Sequence, residues 1–249
     1  MVNSSRLHLL FFFFIIATAC KGAASLVSST EFTIQNSCNF TIWPGFLTGN
    51  GGAQLKYGGF TLSRGTSVGV TLPAGWSGRI WGRTGCKFDE SGAGRCLTGG
   101  CGNKLICAGA GGVPPVTLAE FTIGNGGAKH FYGVSLVDGY NVQMGITTRG
   151  GSGDCQNIGC VADLNRRCPK ELRVMDRGNV VACKSACEAF GKPEYCCTGA
   201  FNKPETCPPT NYSRIFKRAC PKAYSYAYDG ASSSFTCANA NYSIIFCPR

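Results

Sequence analysis

Glu120 and Asp138 are two of only 13 acids in a chain of 249 residues with 24 lysines and arginines, and both fall in one predicted hairpin. Thr117–Ile123 alternates, with Leu118, Glu120 and Thr122 on one face and Ala119, Phe121 and Ile123 on the other. Gly124-Asn125-Gly126-Gly127 supplies the tolerance of positive φ that a reversal needs. Phe131–Val137 returns and stops at Asp138-Gly139, a turn signal, after which Tyr140, Val142, Met144 and Ile146 resume the alternation. Folding these runs about Gly126-Gly127 sets Glu120 opposite Tyr132–Val134, near the strand end that delivers Asp138. The product is a carboxylate-lined surface. Paired carboxylates can act as acid and base when one is held protonated and the other ionised. The plainer alternative is two solvated strand-end acids satisfied by Arg79.

Other chemistries lack their residues. A Ser/Cys–His nucleophile needs a placed histidine, but His130 falls in a predicted loop and the cysteines are expected to be paired. Zinc would want compact CxxC or HxxxH sets, so no metal and no cofactor are expected.

The elements that must position these acids are short strands. Glu31–Pro44 reads as an opening strand pair, and Phe60–Leu72 and Gly78–Arg83 continue in threonine- and aromatic-rich runs between glycines and prolines. Such spacing favours a sandwich or barrel over an α/β scheme. Cys86–Cys107 breaks the pattern with four cysteines and five glycines and reads as a stapled loop module. From Cys155 to Cys207 there are eight cysteines and one predicted helix, Val180–Phe190, closed by Gly191 and Pro193. On that helix Cys183 and Cys187 would share a face, and adjacent Cys196 and Cys197 should serve different partners. The tail from Tyr224 to Arg249 reads as strand again.

Arg6, the apolar run Leu7–Ile16 and the small residues up to Ser25 describe a secretory signal peptide spanning 1–25. Its removal takes Cys20 from the 17 cysteines and leaves sixteen, an even number suited to oxidised pairs in a secreted protein. It also lowers the net charge from +11 to about +9. Asp163–Lys222 holds 12 bases against 6 acids, most of that excess. The charge suits anionic membrane or wall surfaces, whereas nucleic acid is a poor partner for a secreted disulfide protein. Asn39, Asn211 and Asn241 each begin a glycosylation sequon. Asn39 and Asn241 fall in predicted strands, which leaves Asn211 as the best candidate.

The sixteen cysteines, the module GAGRCLTGGCGNKLIC (Gly92–Cys107), the runs RIWGRTGC, TLAEFTI and DGYNVQM and the ending YSYAYDGASSSFTC…FCP closely resemble thaumatin-like proteins, the fifth group of plant pathogenesis-related proteins. The resemblance covers Glu31–Arg249. It implies a mainly β fold: a flattened β-sandwich core (26–83, 109–161 and 221–249) with two disulfide-rich insertions. The larger insertion (162–220) carries a short helix, and the smaller is the module at 84–108. By order of cysteines it implies the pairs Cys38–Cys247, Cys86–Cys96, Cys101–Cys107, Cys155–Cys237, Cys160–Cys220, Cys168–Cys183, Cys187–Cys196 and Cys197–Cys207.

The same resemblance implies a monomeric antifungal defence protein, secreted to the apoplast. Its cleft, lined by Arg79, Glu120, Asp138 and Asp229, would bind β-1,3-glucan or another fungal wall polysaccharide. The alternatives are a weak endo-β-1,3-glucanase, with Glu120 as acid and Asp138 as base or nucleophile, and a hydrolase inhibitor or protein-binding scaffold. Three positions depart from the family pattern: Gly133 stands where a cleft aspartate is usual, Gly100 where one is usual before Cys101, and Asn103 where glycine or glutamine is usual. Without an acid at 133, and beside Arg79, Glu120 is expected to stay ionised at neutral pH. Gly133→Asp is then expected to raise the Glu120 pKa and any hydrolysis, unless this glycine is needed for positive φ.

Overall fold

The computed structural model describes residues 29–49 and 51–248; the expected signal peptide lies outside them. Among the described residues fourteen strands form in chain order. They are β1 (Ser29–Asn36), β2 (Trp43–Thr48), β3 (Ser67–Pro73), β4 (Ser77–Arg83), β5 (Lys87–Phe88), β6 (Gly94–Arg95), β7 (Leu118–Thr122), β8 (Lys129–Ser135), β9 (Met144–Ser152), β10 (Ile158–Cys160), β11 (Arg173–Asp176), β12 (Asn179–Cys183), β13 (Ala223–Tyr224) and β14 (Phe235–Phe246). Three α-helices, α1 (Ala186–Phe190), α2 (Pro193–Cys196) and α3 (Asn211–Ala219), all fall in the cysteine-rich stretch before β13.

Ten strands make one curled sheet. The order β2-β4-β7-β8 is antiparallel throughout and continues to β14 through Phe235–Ala238. The twelve-residue β14 then changes neighbours. Its later half pairs in parallel with β1 on one side and antiparallel with β9 on the other. The sheet thereby folds over on itself as a flattened sandwich. Phe121 of one layer meets Phe32 and Tyr242 of the other, with ring centroids 4.8 and 5.0 Å apart. Edge-on aromatic contacts of this kind add to the burial of apolar area. Alternation on β1 and β7 supplies that core: Phe32 and Ile34, and Ala119 and Phe121, are all buried.

A second, smaller core lies on the opposite face of β4 and β7. Trp81 and Leu118 are capped there by Cys101, Cys107 and Val116, so the stapled module packs on the sheet instead of dangling from it. The eight disulfides join the same eight pairs that the resemblance implies. Cys38–Cys247 ties the ends of parallel β1 and β14 across 209 residues, worth roughly 5 kcal/mol in the chain-entropy account.

Two expectations are corrected. Val180–Phe190 is not one helix: Val180 and Val181 belong to β12, and helix begins only at Ala186. The β-branched pair suits the β11–β12 hairpin, and Ser185 caps α1 by accepting from the Glu188 backbone N–H at 3.2 Å. Cys183 and Cys187 therefore share no helix face. His130 is not in a loop either. It sits in β8, buried, with Nδ1 3.1 Å from the Tyr242 hydroxyl.

Candidate ligand-binding cleft

Ser77, Arg79, Trp81 and Arg83 share one face of β4, and the registers of four strands turn that face into rows. Gly45, Trp81, Leu118 and Ser135 form one row, which the stapled module covers. The next row, Leu47, Arg79, Glu120 and Gly133, is open, as are Ser77, Thr122 and Phe131 beyond it. These residues floor a cleft of about 450 Å³, walled on its far side by Tyr224 and Ser234. The module stops one row short of Arg79, and the cleft begins where it stops.

Arg79 holds the two acids together. Its Nε donates to Glu120 Oε1 at 3.0 Å, and its Nη1 lies 3.9 Å from Asp138 Oδ2. Asp138 occupies the turn after β8, which Gly139 closes by donating its N–H to the Leu136 carbonyl. Although 37% of the Glu120 side chain reaches solvent, the cleft walls desolvate its carboxylate. That burial is the largest influence and pushes Glu120 above the ordinary range; Arg79 pulls it down and Asp138 pushes it up. Arg79 lowers the Glu120 pKa as expected but does not set its direction. Desolvation outweighs the guanidinium.

Asp229 is not brought to this surface. Its Oδ2 accepts from the Ser225 N–H at 2.9 Å and Ser225 Oγ at 2.7 Å, and its Oδ1 pairs with Lys217 Nζ at 3.0 Å. Of the implied set, Arg79 and Glu120 line the cleft, Asp138 touches it through Arg79, and Asp229 is consumed behind its wall.

Gly133 is directly opposite Glu120, as the hairpin predicts, but the reason for a glycine there is not positive φ. A Cβ at this position would lie 2.9 Å from the Ser233 carbonyl oxygen and 3.0 Å from Tyr224 Cε2. An aspartate would have to displace backbone or ring. The expected gain from Gly133→Asp is corrected to a steric loss.

Residues 36–248 match the sequence profile of the Thaumatin family. The chain belongs to the thaumatin family. It is 61% identical over 248 residues, all of both chains, to an Arabidopsis thaliana protein named pathogenesis-related protein 5. It is also 51% identical over 223 residues, 88% of this chain and 91% of the relative, to a Prunus avium protein named glucan endo-1,3-beta-glucosidase. The solved structure of a beta-1,3-glucanase domain from Clostridium beijerinckii superposes with a TM-score of 0.51 over 88% of this chain and 98% of that one. At 11% identity that likeness is one of fold.

Within this thaumatin-family cleft, sequence reasoning missed the wall residues. Phe131 was legible, since it shares a strand face with Gly133, and it is 52% exposed. Tyr224 was not, because β13 reaches β8 from about ninety residues downstream.

The three sequons separate. Asn241 lies in β14 and its side-chain oxygen accepts from the Glu31 N–H at 2.9 Å. Asn39 lies in an exposed bend after β1, not in a strand as expected, and Asn211 is the exposed first residue of α3.

Proposed function

We propose that this thaumatin-family protein is a secreted, monomeric antifungal defence protein that holds β-1,3-glucan in the Arg79–Glu120 cleft with little or no turnover. The carrying observation is the single guanidinium shared by Glu120 and Asp138, in a cleft where position 133 offers no further acid. A bridged, ionic pair of this kind orients hydroxyl groups, because carboxylates accept and the guanidinium donates. Hydrolysis asks for more: one protonated acid and one free carboxylate at a set separation. The core, the module at 84–108 and the lobe at 162–220 act in this reading as three parts, with the core lining the cleft. The basic lobe adds attraction to anionic wall or membrane surfaces.

A weak endo-β-1,3-glucanase is the second reading. It is favoured by the upward shift of Glu120, which suits a general acid, and by the name of the Prunus avium relative. Purified, oxidised protein incubated with insoluble β-1,3-glucan separates the two. Retention on the polymer without release of reducing sugar is the expected result. Release of oligosaccharide favours the glucanase, and failure to bind favours an inhibitor or protein-binding scaffold.

A further inference from the structure

The Arg79–Glu120 pair accounts for one side of the cleft and leaves the other, which is aromatic, without a role. β13 runs parallel to β8, pairing Ala223 with Val134 and Tyr224 with Ser135. The Leu136 N–H donates to the Tyr224 carbonyl at 2.8 Å. This pairing brings the edge of the Tyr224 ring to the spot where any side chain at 133 would begin. Glycine is the residue that admits the ring. The surrounding segment is pinned as well. Lys217 Nζ donates to the Ala223 carbonyl at 3.2 Å and to Ser233 Oγ at 2.8 Å while pairing with Asp229. Asp229 in turn holds Ser225. The backbone that carries Tyr224 is therefore pinned before a ligand arrives, which lowers the ordering cost of binding. Phe131, half exposed on the same strand face as Gly133, continues the apolar side.

We infer that Tyr224, admitted beside Gly133, is a specificity-determining platform on which one ring of a neutral β-linked glucan stacks, with Phe131 extending the surface. The inference rests on the reading of the cleft as a glucan site and adds which side chains choose the sugar. A β-glucopyranose carries its hydroxyls around its equator and exposes axial C–H on both faces. One such face fits an aromatic ring, while the equatorial hydroxyls turn to Glu120 and Arg79. An aspartate at 133 would place a charge beside that apolar face and push the ring away. An axial hydroxyl, as in galactose, interrupts the face and weakens the contact. Asp229 acts in this arrangement as a positioning residue, through Lys217 and Ser225.

The test is calorimetric titration with a linear β-1,3-linked glucose hexamer and, beside it, a β-1,3-linked galactose oligomer. The parent should bind the glucan at least about tenfold more tightly. Tyr224→Phe should bind within about twofold of the parent, Tyr224→Leu about tenfold more weakly, and Phe131→Ala about threefold more weakly. Should Tyr224→Leu fold poorly, the aromatic carbon resonances of Tyr224 in the unaltered protein give the second readout and should move on titration. Unchanged affinity in a folded Tyr224→Leu protein, or immobile Tyr224 resonances in a glucan-binding parent, overturns the platform alone. A parent that binds no glucan overturns the cleft reading and the platform with it.

Discussion

Arg79 and Arg83 lie four residues apart on the same face of β4, and the fold gives them opposite employment. Arg79 is 49% exposed and spends its charge on two acids at the edge of a cleft. Arg83 is fully buried, and among the described residues no carboxylate pairs with it. Its guanidinium donates to the carbonyls of Trp43, Pro44, Lys104 and Leu105 at 2.8–3.0 Å, stitching β2 to the stapled module. Burial lowers its pKa to about 10, which leaves it charged at neutral pH. A glycine makes room in each region. A Cβ at Gly59 would sit 2.6 Å from Arg83 Nη2, as one at Gly133 would crowd Tyr224. The comparison teaches that a charged residue's role in this sheet depends on whether the module covers its row.

Breaking the buried side should have the largest effect. Arg83→Met takes the donor from the carbonyls of Trp43, Lys104 and Leu105 and leaves that of Pro44 with only the Phe60 N–H, so it should cost at least about 3 kcal/mol in denaturant unfolding. A loss under about 1 kcal/mol would mean that water replaces the guanidinium and that the strut is dispensable. Gly133→Asp comes next, at about 1–3 kcal/mol for forcing a side chain against the Ser233 carbonyl and the Tyr224 ring. Glucan hydrolysis should not rise. A variant as stable as the parent with faster hydrolysis would restore the acid-completion expectation.

How much of this was legible follows from the same residues. The β7–β8 register, with Glu120 facing Gly133, could be read because alternation and a glycine-rich reversal are local signals. The separate fates of Arg79 and Arg83 could not, since both read as charged residues on one strand face and the cover comes from residues 101–107 and 116. Tyr224 and the diversion of Asp229 to Lys217 depend on contacts with α3 and β8, equally remote from local pattern. The helix at 180–190 failed for a nearer reason. Ser185 and Glu188 carry a capping signature that dates the helix start, while Val180-Val181 favours strand.

His130 sharpens the comparison from the buried side. Burial beside Tyr242 lowers its pKa below the ordinary value. The unfolded chain then binds the proton more readily, so stability should be full above about pH 6.5 and fall as acid protonates the unfolded state. His130→Gln should flatten this part of a thermal-unfolding pH series. An unchanged slope would assign the acid loss to other groups.

Arg79→Met tests the exposed side and should cost under about 1 kcal/mol of stability, as exposed ion pairs do. Because the guanidinium lowers the Glu120 pKa, its removal should move the midpoint of the Glu120 carboxyl resonance upward. A downward move would contradict the order of influences in the cleft. The smallest effect concerns glycans. Intact mass before and after deglycosylation, with peptide mapping, should find occupancy confined to exposed Asn39 and Asn211. An occupied Asn241 would contradict its bond to Glu31.

The most direct measurement is a crystal structure of the oxidised protein with a linear β-1,3-linked glucose oligomer. The account predicts an intact chain of sugars in the cleft, one ring against Tyr224 and its hydroxyls on Glu120 and Arg79. Sugar bound elsewhere on the protein, or cleaved product in the cleft with Glu120 and Asp138 parted from Arg79, would contradict it.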